Sequence, residues 1–522
     1  MPVLTGIDVL GVQRFVFASN RLKDVVTGSF LVHWSTAPDG PLSCSGSTGS
    51  ILFAGGGNAI VEFNTNEEAK VFAAHYIRLL YDEVPGLEVV LEHEIFEHGN
   101  LAVALQNLQI KLARAKTQRF PSVPLSGLSV TATCMETGQP ATRFDRDEKS
   151  VKISHNIFSR REKKGKAIEY WEKYLEDKTC YDFPLELDNL GRDKGDTSLI
   201  GVVHVDGNGV GKKITAWLSA QSDDETVRRE YREWSQAIDR LGQEALFAVV
   251  DHIFQRVERS DDGNPPKVTG IPKGLCFDLK AETGSKWMLP IRPILLGGDD
   301  LTFVCDGRIA LDLAETALSV FEHSNIPHLG NISASAGIAI VRVHAPFARA
   351  YELAEKLCRS AKDKLKKEDD QGCALDWHIG IARPGESVTT IRNKQYLANG
   401  YQLTCRPYLL GSEQDDNKVT WRWLSRTLLD GKVFGLRGES WSERRNKVKD
   451  FAELVREGPD VVLSALDAWR VVENKLQLPQ PIGNSGFIAT RTPLLDAAEI
   501  VDLHLVLEHI DHQQAKESEV KQ

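Results

Sequence analysis

Short apolar runs broken by glycine alternate along this chain with longer segments whose apolar residues recur every three or four positions. Runs of the first kind predict strands, and segments of the second kind predict helices. The order opens with a strand over 3–10 and a helix carrying Gly28-Ser29-Phe30-Leu31-Val32. A strand–glycine–strand stretch follows at 51–63, then a helix over 67–81, a strand over 87–92 and a helix over 100–117. After residue 196 the order returns. A strand ends at Asp206, the longest helix covers 224–259, a second strand–glycine–strand stretch covers 295–306, a helix covers 308–323 and a strand 331–341. A further helix opens at Pro346 and a strand covers 373–380. Val227, Tyr231, Trp234, Ile238, Leu241, Ala245 and Val249 share one face of the 224–259 helix, which is the spacing of core packing. The recurrence reads as an internal duplication; the alternative is chance repetition of a common βαββαβ order.

Beyond about 385 the glycine signatures stop, and windows at 421–429, 442–457, 459–475 and 492–509 suit helices. Residues 142–195 are rich in charge, with Trp171 and Tyr174 interspersed. They read as a solvated connector with one short helix, or as a contact for nucleic acid or a partner. The expected organisation is 1–120, a first unit; 121–195, a connector; 196–384, a second unit; and 385–522, a helical C-terminal unit. The fold class is α/β (α+β).

Two stretches carry candidate chemistry. Gly297-Gly298-Asp299-Asp300 lies between two apolar runs and predicts a hairpin with its carboxylates at the tip. Alone it also fits a polar turn. Adjacent strand residues face opposite ways, so only a bend lets both acids serve one site. The second stretch is His204-Val205-Asp206-Gly207-Asn208-Gly209-Val210-Gly211-Lys212. A strand ends at Asp206, and a glycine loop feeds a helix N-terminus that can cradle phosphate. The spacing is not that of a P-loop. One strand-end acid plus a hairpin acid pair, about ninety residues apart, is the carboxylate set of a polymerase-type palm, where two divalent metals clamp a triphosphate and activate a hydroxyl. His204 reads as a packed histidine rather than a catalyst, and Arg406 and Tyr408 as packing residues, with contact to a partner as the alternative.

The chain has 522 residues, so two to four domains are expected. A net charge of −10 argues against a general basic surface for nucleic acid. Eight scattered cysteines with no Cys-x-x-Cys predict reduced thiols rather than a zinc ribbon or a disulfide framework. No apolar run is long enough for a membrane span, no signal-type leader is read, and a cytoplasmic protein is expected.

These residues resemble the large, polymerase-like subunit of type III CRISPR effector complexes and, more distantly, the GGDEF nucleotide cyclases. The likeness is carried by Gly-Val-Gln-Arg-Phe-Val-Phe (11–17), Gly-Ser-Phe-Leu-Val (28–32), Gly-Gly-Gly-Asn (55–58) and His-Val-Asp-Gly-Asn-Gly-Val-Gly (204–211). Gly-Gly-Asp-Asp (297–300), Ser-Ala-Ser-Ala-Gly-Ile-Ala (333–339) and the Ala-Glu-Lys…Ala-Lys pattern over 354–362 complete it. The resemblance implies two ferredoxin-like palm domains in tandem, the first without metal ligands, with nucleotides between them. It implies a second palm that joins ATP into cyclic oligoadenylates, antiviral second messengers.

Carried over, Asp206, Asp299 and Asp300 are catalytic and, with the Gly207 carbonyl, hold two Mg2+ or Mn2+ ions. Gly207, Asn208, Gly209, Gly211, Lys212, Gly297, Gly298, Ser335 and Lys362 bind the nucleotide. Nucleoside triphosphates, subunits of a CRISPR RNA complex, target RNA and a second copy are the partners implied, with no membrane. The chain departs from the family in three ways. No HD nuclease precedes the first palm, so DNA cleavage is not expected. A zinc knuckle is reduced to Cys134. The metal-binding strand reads Asp-Gly-Asn, with one carboxylate. The alternative to a synthase is a nucleotide-binding scaffold subunit. A diguanylate cyclase is weaker, since Asp300-Leu301 replaces the usual Glu-Phe.

Overall fold

The computed structural model describes residues 1–507 apart from 44–48, 119–126, 129, 147, 176–177, 192–198, 260–263, 282–285, 370, 384, 412–417 and 473–475. The two halves of the chain each build a sheet. The first contains β1 (Val3–Leu10), β2 (Ser50–Gly55), β3 (Asn58–Phe63) and β4 (Glu88–Ile95) in the order β2-β3-β1-β4. The second contains β5 (Leu199–Gly207), β6 (Ile291–Gly297), β7 (Asp300–Asp306), β8 (Ala334–Arg342), β9 (Ala374–Ile379) and β10 (Tyr408–Leu409) in the order β6-β7-β5-β8-β9-β10. The helices are α1 (Val12–Val16), α2 (Leu22–Ser35), α3 (Asn66–Glu83), α4 (Leu101–Gln118), α5 (His155–Glu162), α6 (Lys164–Glu172), α7 (Val210–Leu218) and α8 (Asp224–Phe254). They continue with α9 (Ala310–Glu322), α10 (Phe347–Glu368), α11 (Val388–Gln395), α12 (Arg445–Glu457), α13 (Pro459–Val472) and α14 (Leu494–Ile500). This is the α/β class, with tandem palms and a helical region.

The sheets correspond position by position. β1 sets Asp8 opposite Asn58 on β3, and β5 sets Asp206 opposite Asp300 on β7. Both hairpins close at a glycine, Gly55 facing Asn58 and Gly297 facing Asp300. Both also slip register at the same distance before that glycine, between Ile51 and Phe53 and between Pro293 and Leu295. Repetition of a bulge as well as a strand order favours duplication over coincidence, because bulges are specific local features.

Glycines let the halves meet. A Cβ on Gly297 would lie 2.6 Å from the Cα of Gly56, so the hairpin tips abut. Helix α8 spans both sheets, and all seven stripe residues named above are buried. A Cβ on Gly242 of this helix would lie 2.1 Å from the Gly298 carbonyl oxygen, so only glycine allows it so near the turn. Arg228 grips Glu62 through Nε and Nη2 at 2.9 and 2.7 Å. The Asp224 carboxylate accepts from Gly99 and Leu101 N–H at 2.7 and 2.9 Å, which satisfies donors at the start of α4.

Several expectations change. Helix α8 stops at Phe254, because Val257–Glu258 pairs with Lys267–Val268 instead. The 142–195 segment is not simply solvated. It forms two helices, α5 and α6, and Trp171 and Tyr174 are core residues, each 1% exposed. Arg161 binds Asp24 at 2.6 Å, Asp145 at 2.5 Å and Glu136 at 3.6 Å. Cys134 is buried beside Ile153 and Ile157.

The 492–509 window is helical only over α14, because Val506 then exchanges 2.9 Å hydrogen bonds with Ile271; residues 508–509 and the chain end lie outside the described residues. The 421–429 window holds a seven-residue π-type helix, Trp423–Leu429. The C-terminal region also supplies β10 to the second sheet. Arg406 and Tyr408 anchor it: Arg406 pairs with Asp496 at 2.8 Å and Glu499 at 2.9 Å, and the Tyr408 hydroxyl donates to Asp496 at 2.7 Å.

Candidate functional site

The site forms where β5 ends beside the β6–β7 turn. Strand pairing alone brings Asp300 across from Asp206. Asp299 belongs to the turn, where Gly298 takes a φ of +67°, and this is the bend that lets neighbouring acids face one place. The Gly207 N–H donates to the Asp299 carbonyl at 3.3 Å. A Cβ on Gly207 would lie 2.5 Å from Asp299 Oδ2, so the glycine leaves room for that carboxylate.

Lys362 comes from α10, far away in sequence. Its ammonium donates to the Asp206 carboxylate and, at 2.9 Å, to the Gly207 carbonyl. The helix reaches this depth because Gly337 lies beneath it: a Cβ there would lie 1.9 Å from the Ala354 carbonyl oxygen and 2.3 Å from the Cys358 nitrogen. A cavity of about 380 Å³ opens over Asp206, Asp300 and Lys362, and Gln13 of the first half also lines it. A second cavity, about 800 Å³, lies between the 10–18 segment, the connector and α10, and meets the first at Gln13 and Tyr351.

Electrostatics set the carboxylates apart. Burial first, then the charge of Asp206, raises the Asp299 carboxyl above its ordinary value. Burial, Asp206, Asp299 and a hydrogen bond to Asp206 push Asp300 well above the carboxylate range, although it opens on the cavity. Like charges gathered at one point disfavour ionisation unless a cation joins them. The Lys362 ammonium already takes part of that role. The donors are hard oxygens around a point of concentrated negative charge, which fits Mg2+ or Mn2+. His204, Asp206 and Cys358 also place donor atoms within 4.8 Å of one another. His204 is buried, with Nδ1 3.0 Å from the Thr302 hydroxyl, and burial lowers its pKa. The packed reading of this histidine therefore agrees with its surroundings, though its ring also borders the cavity.

The loop residues divide. Asn208 is held by Ser333, its N–H donating to the carbonyl at 2.7 Å and its side-chain amide to the hydroxyl at 3.2 Å. Ser335 is fully buried and its hydroxyl donates to Asn208 Oδ1 at 3.1 Å, so it braces the loop from below rather than lining the cavity. Gly209, with φ +73°, starts α7. Gly211 and Lys212 are exposed and lie outside the cavity lining, and Lys212 has no side-chain partner among the described residues. Gly297 and Gly298 shape the turn.

Sequence patterns missed three features. Gln13 and Tyr351 border both cavities. Asp8 takes the place of Asp206 in the first sheet and pairs with Lys116 of α4, as Asp206 pairs with Lys362 of α10. The first palm therefore keeps one acid of the set, with Gly57 and Asn58 where the second has Asp299 and Asp300. An acid near the end of each leading strand was the available signal.

Residues 199–370 match the family model described as Cas10/Cmr2, second palm domain. Among solved structures, the chain is similar to the crystal structure of a Csm1–Csm4 cassette in complex with one ATP, with a TM-score of 0.52 and 15% identity over 96% of this chain and 70% of the other. It is also similar to the Csm1–Csm4 cassette in complex with AMPPNP, with a TM-score of 0.50 and 16% identity over 96% and 69% of the two chains. Likeness at such identity is likeness of fold. No curated protein sequence matches the chain significantly. No helix among the described residues is long and apolar enough to cross a membrane. Strands β5–β8 with helices α7–α10 thus match a Cas10/Cmr2 second palm, and the chain that carries them has a Cas10-like fold, similar to that of Csm1 in the Csm1–Csm4 cassettes.

Proposed function

We propose that this protein is a metal-dependent nucleotidyltransferase that joins nucleoside triphosphates, ATP first among them, into a cyclic oligonucleotide messenger. One observation carries the reading: Asp206, Asp300 and Lys362, from two strands and a distant helix, line one cavity together with Gln13 of the other palm, and Asp299 of the adjoining turn packs against Gly207 beside them. Nucleotide-bound relatives of the same fold support it.

Asp206, Asp299, Asp300 and the Gly207 carbonyl would hold Mg2+ or Mn2+. When bound, the metal supplies charge to the triphosphate and acidity to the attacking hydroxyl. In the reaction, the 3′-oxygen of one nucleotide forms a bond to the α-phosphorus of another, and the bond from that phosphorus to the β-phosphate bridge breaks. Pyrophosphate leaves and the hydroxyl proton passes to solvent. Lys362, released from Asp206, meets phosphate charge, and the braced 207–209 backbone orients the triphosphate. The adjoining 800 Å³ cavity gives the acceptor nucleotide a place beside the donor. The relatives' cassettes pair Csm1 with Csm4, and a partner subunit in an RNA-guided complex is the matching expectation here.

The test is incubation of the purified protein with each NTP and Mg2+ or Mn2+, products read by mass spectrometry, beside Asp299→Ala/Asp300→Ala. Oligonucleotide made by the parent alone supports the synthase. No product with RNA and partner subunits added, while nucleotide still binds, would leave a scaffold.

A further inference from the structure

Helix α10 presents two basic edges. One, through Lys362, faces the carboxylates. The other looks away from them, toward the N-terminus of α11 and the loop ahead of β10, across a cleft of about 420 Å³. That volume falls within the roughly 300–1,000 Å³ range of small-ligand sites. Six cations and two carboxylates line it.

Most of these charges are accounted for. Lys356 pairs with Glu352 at 2.8 Å, and Lys364 with Glu368 at 3.5 Å. Asp363 pairs with Lys366 at 3.6 Å, and Arg406 is neutralised in the core by Asp496 and Glu499. Arg359, Lys367 and Arg491 remain, each exposed and each without a side-chain partner among the described residues. They come from two elements distant in sequence, yet they converge on one concavity. Like charges left together without a counter-charge oppose folding unless something binds them.

Two further features point to phosphate. Helix α11 begins at this cleft: Ser387 caps it by accepting from the Thr390 N–H at 3.0 Å, and Val388 and Thr389 line the wall. The first N–H groups of a helix lack intrahelical acceptors and favour anions. The cleft also adjoins the catalytic cavity, because Arg359 and Asp363 border both.

We propose that this cleft is a polyphosphate-binding site beside the transfer site. Its ligand chemistry is a chain of two or three phosphates. Two sources share that chemistry: the pyrophosphate that each transfer releases and the 5′-triphosphate of a linear oligonucleotide awaiting ring closure. The choice of source rests on the nucleotidyltransferase reading, whereas the anion site itself rests on the unpaired cations.

The test uses calorimetric titration of the full chain in metal-free buffer. The probes are inorganic pyrophosphate, a 5′-triphosphorylated diadenylate and the same dinucleotide without 5′-phosphates. The cleft variant is Lys367→Ala/Arg491→Ala, and Lys70→Ala/Arg78→Ala on α3 controls for net charge. Neither pair borders the catalytic cavity, and all four side chains are exposed, so folding is retained. Loss of charge-assisted contacts predicts pyrophosphate affinity about tenfold or more weaker in the cleft variant and unchanged in the control. Tighter binding of the triphosphorylated dinucleotide than of pyrophosphate, again lost in the cleft variant, assigns the chain end as the source; equal binding assigns the leaving group. Equal pyrophosphate affinity in all three proteins, or equal weakening in both variants, overturns the site. If the parent makes no product from ATP even with RNA and partner subunits added, but the cleft variant alone loses pyrophosphate, the cleft stands and the synthase reading falls.

Discussion

Gly207→Ala is the sharpest perturbation of the carboxylate cluster. Gly207 does not occupy the left-handed region, so alanine suits its backbone. The added methyl would lie 2.5 Å from Asp299 Oδ2 and 2.8 Å from Asp299 Cβ. To reach an ordinary separation of 3.4 Å, Oδ2 must retreat by about 0.9 Å and Cβ by about 0.6 Å. The Oδ2 shift alone could be met by rotation of the side chain. The Cβ shift cannot, so the turn itself moves, and with it Asp300. Overpacking of this size costs about 1–3 kcal/mol. The reduced freedom of the unfolded chain returns roughly 0.4–1 kcal/mol. The net loss of stability is therefore small. The effect on function is not, because a displacement of about 1 Å in a positioned group costs up to about a hundredfold in rate. The assay pairs denaturant unfolding with product formation from ATP, and Gly165→Ala, which has no neighbour within 4 Å and borders neither cavity, is the control. A Gly207→Ala protein that folds and makes product as the parent does would refute this account of how Asp299 is placed.

Gly337→Ala should act through the helix: its methyl meets α10 backbone at 1.9 and 2.3 Å, so unfolding free energy falls by about 1–3 kcal/mol or more, and ATP binding weakens as Lys362 is carried away from Asp206. Arg161→Ala removes the buried guanidinium that bridges Asp24 and Asp145 and should cost about 3–5 kcal/mol, read by chemical denaturation. Burial, helped by Arg392 and Arg406, lowers the His378 pKa to about 4, and burial beside Arg437 lowers His504 to about 3, from an ordinary 6.5. Below pH 6.5 the unfolded chain takes up protons that the folded one refuses, so their stability contribution is full above that value and is lost as pH falls. The slope reaches about 1.4 kcal/mol per pH unit for each histidine. Unfolding free energies at pH 7.5 and 5.0 should therefore converge in His378→Gln/His504→Gln relative to the parent; an unchanged slope would sink this assignment.

Local pattern was enough for much of this molecule. The period of the apolar residues marked both sheets and the α8 stripe, and the two glycine hairpins disclosed the duplication. Those signals lie within a few residues of one another, where backbone geometry dictates spacing. Asp206, Asp299 and Asp300 were legible for the same reason, as acids at strand ends and turns. The element ends were less so. Helix α8 stops where a ladder competes for its residues, and the helix after Thr492 stops where Val506 pairs with Ile271. Trp171 and Tyr174 looked exposed because their neighbours in sequence are charged, while their neighbours in space are apolar.

What only the tertiary structure decided is which distant residues share the site. Lys362 meets Asp206 across 156 positions, Gln13 of the other palm lines the same cavity, and Arg491 joins Arg359 and Lys367 over one cleft. Asp8 and Lys116 repeat the acid–lysine pairing in the first sheet. Such meetings depend on how closely helices approach sheets, which Gly337 and Gly242 set by leaving out a single carbon. A glycine in a strand or helix carries no mark of the backbone that will press against it, so the sequence names the chemical groups and the packing selects which of them act together.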